Sequence, residues 1–440
     1  VAFARLDGIY LRAAAGGEPR RIGVARWPNY LVWSPDGRRV AYVSDNPYFV
    51  YSGAMLGNIA NSAIWTVNVR TGKAIRVSDA THLNASPAWA PDGRALLYVS
   101  SAGGGRDIYQ QALSGSGEPR GQPVRLTTGV NAHTISLSAN GSRLAYTVLT
   151  TRSNPWMAPI APNGVTPFAA ARSITNENQT VEGLAVSPDG QWLAFDSNRG
   201  VGHQHIYKIP VTGGEPVQLT RDSADAFDPM WSRDGRMITY HGWKTGNRDV
   251  YVMTADGSDV RDVTGYPGHE MGPAWSPDGN KIIFIGDRSG RWEMHVVERA
   301  QDGRWLDARQ VTRDFGSGGR WTPDGSAIVY ISLVDTTFHI ADADGSHTRL
   351  LFDGHALGLR PQNIAFGAAP DVLYFLAIER DGRHAFYSLS LHGGPPRLLF
   401  RFDDPDRQPR RPEFDTDGRR LFFTLATAES DVWVMELTKK

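Results

Sequence analysis

Eight residues sit just ahead of a recurring apolar phrase and change from copy to copy: Asn29, Asn84, His133, Glu182, Asp228, Glu270, Arg320 and Arg411. Carboxylates, guanidinium groups and an imidazole are the side chains that bind by charge or move protons. If the copies surround an axis, Asn84, His133, Glu182, Asp228, Glu270, Arg320 and Arg411 converge on a channel mouth. They would there meet a protein, a peptide or a small polar ligand. The plain alternative is a hydrated channel whose charges cancel. Exchanging Arg320 and Arg411 for alanine is expected to remove binding and leave the fold intact.

Other chemistry is poorly represented. The chain has no cysteine, which excludes disulfides, thiolate metal sites and cysteine nucleophiles. It has no Gly-x-Ser-x-Gly elbow, no His-Glu-x-x-His and no phosphate loop with its lysine. His203 and His205 alternate along one strand and have the spacing to clamp a metal. Position 205 is Asp in other copies (Asp107, Asp249, Asp431), which favours a strand-start role. No metal and no cofactor is expected. Asp314-Phe315-Gly316 spells a kinase magnesium tripeptide with no other kinase part near it. With 46 basic and 46 acidic residues, net charge favours neither nucleic acid nor an anionic membrane. No apolar run reaches the ~20 residues of a membrane span. Val1 suits a chain processed or excised from a longer one, and the chain is expected to be a monomer.

The elements that position these residues follow from the repeat. A turn aspartate recurs at Asp36, Asp92, Asp189, Asp234, Asp278, Asp324 and Asp417, with Asn140 in its place once and a worn copy at Asp371. The period is about 47 residues, within the range of four-stranded propeller blades. One copy reads "DPMWS", "RMITYHG", "RDVYVMTA" and "VRDVT": four short strands rich in β-branched and aromatic residues, split by turns. Ser-Pro-Asp-Gly is turn chemistry, because Pro presets φ, Asp caps amides and Gly accepts positive φ. Trp33, Trp89, Trp231, Trp275 and Trp321 end the inner strands and fit the wedge between blades. The repeat aspartates are therefore structural. The chain starts with strands lacking an inner member and ends with strands lacking an outer one. This predicts an all-β fold: one closed propeller over residues 1–440, nine four-stranded blades or else eight, with N-terminal strands completing the last. An insertion carrying Tyr48, Phe49, Tyr51 and Met55 is a loop packed on its blade or a contact surface.

The phrase "PAWSPDGNKIIF", with "DIYQQAL", "DVYVMTA" and "PVQLT", resembles the TolB-like propeller repeat over nearly the whole chain. "LAVSPDGQWLAFDSNRGVGHQHIYKIPVTGGEPVQLT" is similar to the extracytoplasmic propellers of bacterial receptor-type serine/threonine kinases. The resemblance implies a sensor or docking module without catalysis, in the periplasm or outside a bacterial cell. The alternative it leaves is a propeller-type polysaccharide lyase, with His133, His269, Arg320 and Arg411 as candidate parts.

Overall fold

The structure, a computed structural model, describes residues 1–5, 7–25, 28–45, 61–199, 203–404, 407–409 and 411–437. The insertion around Tyr48 to Met55 lies outside them. The described strands pair antiparallel, and one isolated parallel bridge joins Thr166 to Phe400. Two single 3-10 turns, Phe168–Ala170 and His355–Leu357, are the helices among the described residues. None of the described helices is long and apolar enough to cross a membrane.

Each anchor joins an inner strand to a second strand, and the turn chemistry recurs. Between Glu270–Trp275 and Lys281–Gly286, Ser276 Oγ donates to Asp278 Oδ1 at 2.5 Å, and the Asn280 N–H donates to the same oxygen at 3.1 Å. The Lys281 N–H returns to Ser276 Oγ at 2.8 Å, and Gly279 takes φ 72°. The same bonds form at Ser34/Asp36, Ser232/Asp234 and Thr322/Asp324. The hydrogen bond from Ser276 and the Asn280 amide hold the Asp278 carboxyl below its ordinary range against the opposing pull of burial. These aspartates are spent on turns, as their spacing implied.

Two of the repeat tryptophans stitch neighbouring sheets by a hydrogen bond. Trp231 is buried, and its Nε1–H donates to Ala185 O of the preceding sheet at 3.2 Å. Trp89 does the same to Val32 O at 3.3 Å. Around Trp231, the residues Ile238, Tyr240 and Tyr251 pack on Ala185, Ala194 and Ile206. Trp231→Phe is expected to cost about 1–2 kcal/mol, one hydrogen bond with its acceptor left buried. Urea denaturation checks this, and a loss below about 0.3 kcal/mol would remove the stitch from the argument.

The chain divides into two compact units, Val1–Thr151 with Ala428–Lys440, and Arg152–Thr427. In the second unit the inner strands Leu184–Val186, Ala226–Trp231, Glu270–Trp275, Gly316–Trp321, Leu359–Phe366 and Phe414–Thr416 each neighbour the next. The last of them neighbours the first, so six sheets close a ring. The sixth sheet combines Phe414–Thr416 and the start of Arg420–Glu436 with the end of Arg143–Pro159 and Arg172–Ser173. Ring closure by segments far apart in sequence hides the edges that would otherwise stay open.

In the first unit, the strands Ala2–Arg5, Gly8–Ala13 and Gly16–Val24 pair among themselves. Two four-stranded sheets follow, beginning with Asn29–Trp33 and Asn84–Trp89. The last sheet there joins Ala132–Leu137 to the start of Arg143–Pro159 and the end of Arg420–Glu436.

The expected closure by N-terminal strands is therefore corrected: the strand beside Arg420–Glu436 is Arg143–Pro159. The nine anchors are all present, but the six from Asp189 to Asp417 close a ring by themselves. The cause is two strands of 17 residues, each long enough to run through two sheets.

Candidate functional site

The inner strands of the ring are bent. Pairing slips between Phe227 and Met230, between Met271 and Ala274, and between Ser317 and Arg320. Each slip is a β-bulge, a device that re-aims side chains. The bulge residue takes positive φ: 50° at Asp228, 60° at Gly272 and 61° at Gly318. Glycine adopts this readily, whereas Asp228 needs support. Its support is Asp196, whose Oδ2 accepts the Asp228 N–H at 3.1 Å and the Gly183 N–H at 2.8 Å. The other oxygen, Oδ1, accepts the Glu182 N–H at 2.7 Å. Gly183 has no room for a side chain, since a Cβ there would lie 2.4 Å from Asp228 Oδ1.

Asp196 thus holds two inner strands, and with them two acids, in place. Glu182 is 4% exposed and its Oε2 lies 2.8 Å from Arg411 Nη2. Arg411 is 5% exposed, with Nε 3.3 Å from Glu413 Oε2. His241 Nδ1 is 3.5 Å from Asp228 Oδ2. Arg320 donates through Nη1 to Gly319 O at 3.0 Å, within electrostatic reach of Asp415, Asp228 and Glu413. Asp415 closes the group and helps close the ring: its carboxylate accepts the Val186 and Thr416 N–H groups, both at 2.9 Å.

The electrostatics follow from burial. Burial pushes the Glu182 carboxyl up to about 7, against the pull of Arg411. Burial also raises Glu413, and lifts Asp415 to about 6. It lifts Asp196 well above the carboxylate range, with Glu182 and Asp228 adding to the rise. His241 is pulled down to about 4 by burial, despite Asp228. Burial also lowers Arg320. For Arg411 burial acts in the same direction, but Glu182, Glu413 and Asp228 outweigh it and raise the guanidinium above its ordinary value. Six buried atoms of the group have no hydrogen-bond partner among the described residues: His241 Nδ1, Arg411 Nε and Glu413 Oε2, which lie within ion-pair distance of an opposite charge, and Glu182 Oε1, Asp228 Oδ1 and Arg411 Nη1. The group thus holds a cationic donor and acid acceptors whose hydrogen bonds are incomplete, all out of contact with solvent.

The eight sequence candidates do not share one structural place. Glu270 opens its inner strand and matches Ala226 and Gly316 by pairing, whereas Asp228 is two residues further on. Glu182, Asp228, Arg320 and Arg411 come together. Glu270 instead lies 2.6 Å from Arg288 Nε, and its carboxyl is raised by burial. Asn84, in the first unit, is fully buried and donates to Ser62 O, Asp79 O and His82 O. Asn29 donates to Asp45 O at 3.2 Å. His133, also in the first unit, is pulled down to about 4 by burial and by Arg106. His269 stacks edge-on against Trp243 at 5.4 Å.

His203 Nδ1 lies 3.2 Å from Asp225 Oδ1, and its ring is edge-on to His205 at 6.5 Å. No group of three or more His, Cys, Asp or Glu fit to hold a metal occurs among the described residues. Asp314 accepts the Tyr330 hydroxyl at 3.0 Å, a structural role for the kinase-like tripeptide.

Sequence reasoning missed Asp196, His241, Glu413 and Asp415, although a signal existed for three of them. Asp196 and His241 occupy second-strand positions that hold Val43, Val99, Ile285 and Ile331 in other copies. Asp415 follows Phe414 where Trp231, Trp275 and Trp321 end their inner strands.

Residues 226–409 match the family model described as TolB beta propeller domain. The Tol-Pal system protein TolB of Francisella tularensis subsp. mediasiatica (strain FSC147) is 28% identical over 213 residues, covering 47% of this chain and 44% of that protein. The uncharacterized peptidase YuxL of Bacillus subtilis (strain 168) is 26% identical over 209 residues, covering 47% of this chain and 28% of that protein. The matched stretch spans less than half the length of either curated relative. Among solved structures, TolB from Acinetobacter baumannii is 14% identical with a TM-score of 0.43, covering 74% of this chain and 78% of that one.

Proposed function

Starting from a chain that is a TolB-like β-propeller repeat protein, we propose that it is a recognition module. Its six-sheet ring binds a peptide or protein segment through the charged group at its axis. The observation that carries this reading is the pairing of opposite needs in one buried place. Arg411 Nη1 seeks an acceptor, while Glu182 Oε1 and Asp228 Oδ1 seek donors. A ligand with a carboxylate and an ammonium group close together, as at a peptide terminus beside a charged side chain, meets both needs. A lipid meets neither. Buried polar atoms without partners are costly, so a ligand that satisfies them gains differential affinity. The relatives named for the Tol-Pal system and for a peptidase agree with a polypeptide ligand. The Tol-Pal system relative agrees with the bacterial periplasm or cell exterior, where we place the protein.

The lyase alternative stays open; within the ring its candidate His269 stacks against Trp243, while Arg411 is taken up by Glu182 and Glu413. Titration calorimetry against short charged peptides tests the proposal, with Glu182→Gln and Glu413→Gln combined as the control. The expected result is binding that strengthens as pH rises through about 7, where Glu182 loses its proton. The doubly neutralised variant should lose at least tenfold in affinity. Binding that the two exchanges and the pH leave unchanged would make the axis a scaffold.

A further inference from the structure

The first unit holds a feature that the axial group does not involve. In five sheets the outer strand is fastened by the same two bonds. A Thr or Ser hydroxyl accepts the N–H of the third strand's apolar residue, and the residue before that Thr or Ser donates its N–H to the same residue's carbonyl. The pairs are Ile64 with Ser78 and Val77, Ile108 with Thr127 and Leu126, and Ile206 with Thr220 and Leu219. Val250 with Thr264 and Val263, and Met294 with Thr312 and Val311, complete the set at 2.8 to 3.1 Å. In one of these sheets Arg125 adds an ion pair to Asp107, the residue that opens the third strand.

The sheet built on Ala132–Leu137 has its third strand in the end of Arg420–Glu436 and has no fourth strand among the described residues. The Leu437 N–H donates to Ser142 O at 2.8 Å and fixes the register. Asp431 then matches Asp107, and Val432 matches Ile108. Val432 is 70% exposed, Trp433 56% and Val434 64%. An apolar edge with open backbone groups is a template for strand addition.

We propose that this edge binds an extended segment of a partner protein carrying Arg-(Leu or Val)-Thr. The Thr hydroxyl accepts the Val432 N–H, the preceding residue donates to Val432 O, and the Arg pairs with Asp431. The occupant is specified by chemistry that the chain repeats five times on itself, and by charge complementarity at Asp431.

The test uses the full chain and the peptide Gln-Pro-Val-Arg-Leu-Thr, the sequence of residues 122–127. Hydrogen exchange and titration calorimetry are the readouts. The expected result is saturable binding with protection of the amides around Val432. Binding should weaken at least tenfold on Val432→Pro and severalfold on Asp431→Asn. If Val432→Pro fails to fold, a peptide with Thr exchanged for Val decides instead, and it too should bind severalfold more weakly. Equal binding of a scrambled peptide would overturn the proposal. So would a wild-type dimer that Val432→Pro or Asp431→Asn dissociates, since a second copy would then own the edge.

Discussion

Arg411→Met is expected to lower stability by about 3–5 kcal/mol at pH 8, the range for removing one partner of a buried ion pair. Arg411 lies within ion-pair distance of two carboxylates, those of Glu182 and Glu413. Without it, Glu182 must stay charged in a buried place or take up a proton. The pH dependence follows. The folded-state value of Glu182, about 7, is above its ordinary 4.5, so its contribution to stability is fully present below about 4.5 and is lost as pH rises through about 7. Asp415 acts the same way between 3.8 and about 6. These two groups thus favour pH 5 over pH 8, while His241 and His133, held down to about 4, pull the wild-type chain the other way. Arg411→Met should cost more at pH 8 than at pH 5, because the pull that holds Glu182 down is gone. Chemical denaturation at the two pH values measures both effects. A loss under 1 kcal/mol, or one equal at pH 5 and pH 8, would show that the triad carries little of the load. The ion pairs of Arg411 argue against the expectation that alanine at Arg320 and Arg411 spares the fold. Arg320 donates to the neighbouring Gly319 carbonyl and can be exchanged at smaller cost, whereas Arg411 neutralises buried acid.

The anchors Asp36 to Asp417 were legible because turn chemistry is local. Ser, Asp and Gly at fixed offsets specify the same bonds wherever they occur. The strand types were legible for the same reason. The ring was not, because its closure depends on two strands that lack a break. After "RLAYT" the third copy runs on through "VLTTRSNPWMAP", and the ninth runs from "RLFFT" through "LATAESDVWVME". Neither run holds a glycine. Most other copies place glycine between the second and third strands, as at Gly103 to Gly105, Gly246, Gly290 and Gly382. Two runs without a turn, one in the middle of the chain and one at its end, were the available sign that they pair with each other.

The axial group was half legible. Glu182, Asp228, Arg320 and Arg411 could be picked as non-repeating charges. Their exact columns could not, since each β-bulge shifts the register by residues that carry no compositional mark. Glu270 was drawn in by that shift. Asp196 and His241 were passed over because the search followed the loops, while these two sit in a strand that every other copy fills with apolar residues or Thr.

Asp196→Ala is expected to be among the most damaging single exchanges in the ring, at roughly 3–6 kcal/mol. Three backbone N–H groups, of Glu182, Gly183 and Asp228, lose their acceptor, and each buried unsatisfied donor costs about 1–3 kcal/mol. Asp228 also loses the bond that supports its positive φ. Asp196→Asn should fall between wild type and alanine. Its amide oxygen can serve Gly183 and Asp228 in place of Oδ2, but its NH2 then faces the Glu182 N–H, donor against donor. Asp196→Ile is the sharper test. Ile285 and Ile331 fill the matching position in other sheets of the ring, so a packing argument predicts that isoleucine fits. The hydrogen-bond argument predicts that it fails, because the strand with Gly183 was built around a carboxylate and the Gly183 N–H has nowhere else to turn. Urea denaturation of the three variants ranks them. If Asp196→Ile is as stable as wild type, the clamp is not what holds Glu182 and Asp228 at the axis. If it is destabilised and also loses peptide binding at temperatures where it remains folded, one buried carboxylate is shown to set both the bend of the inner strands and the geometry of the acids they carry.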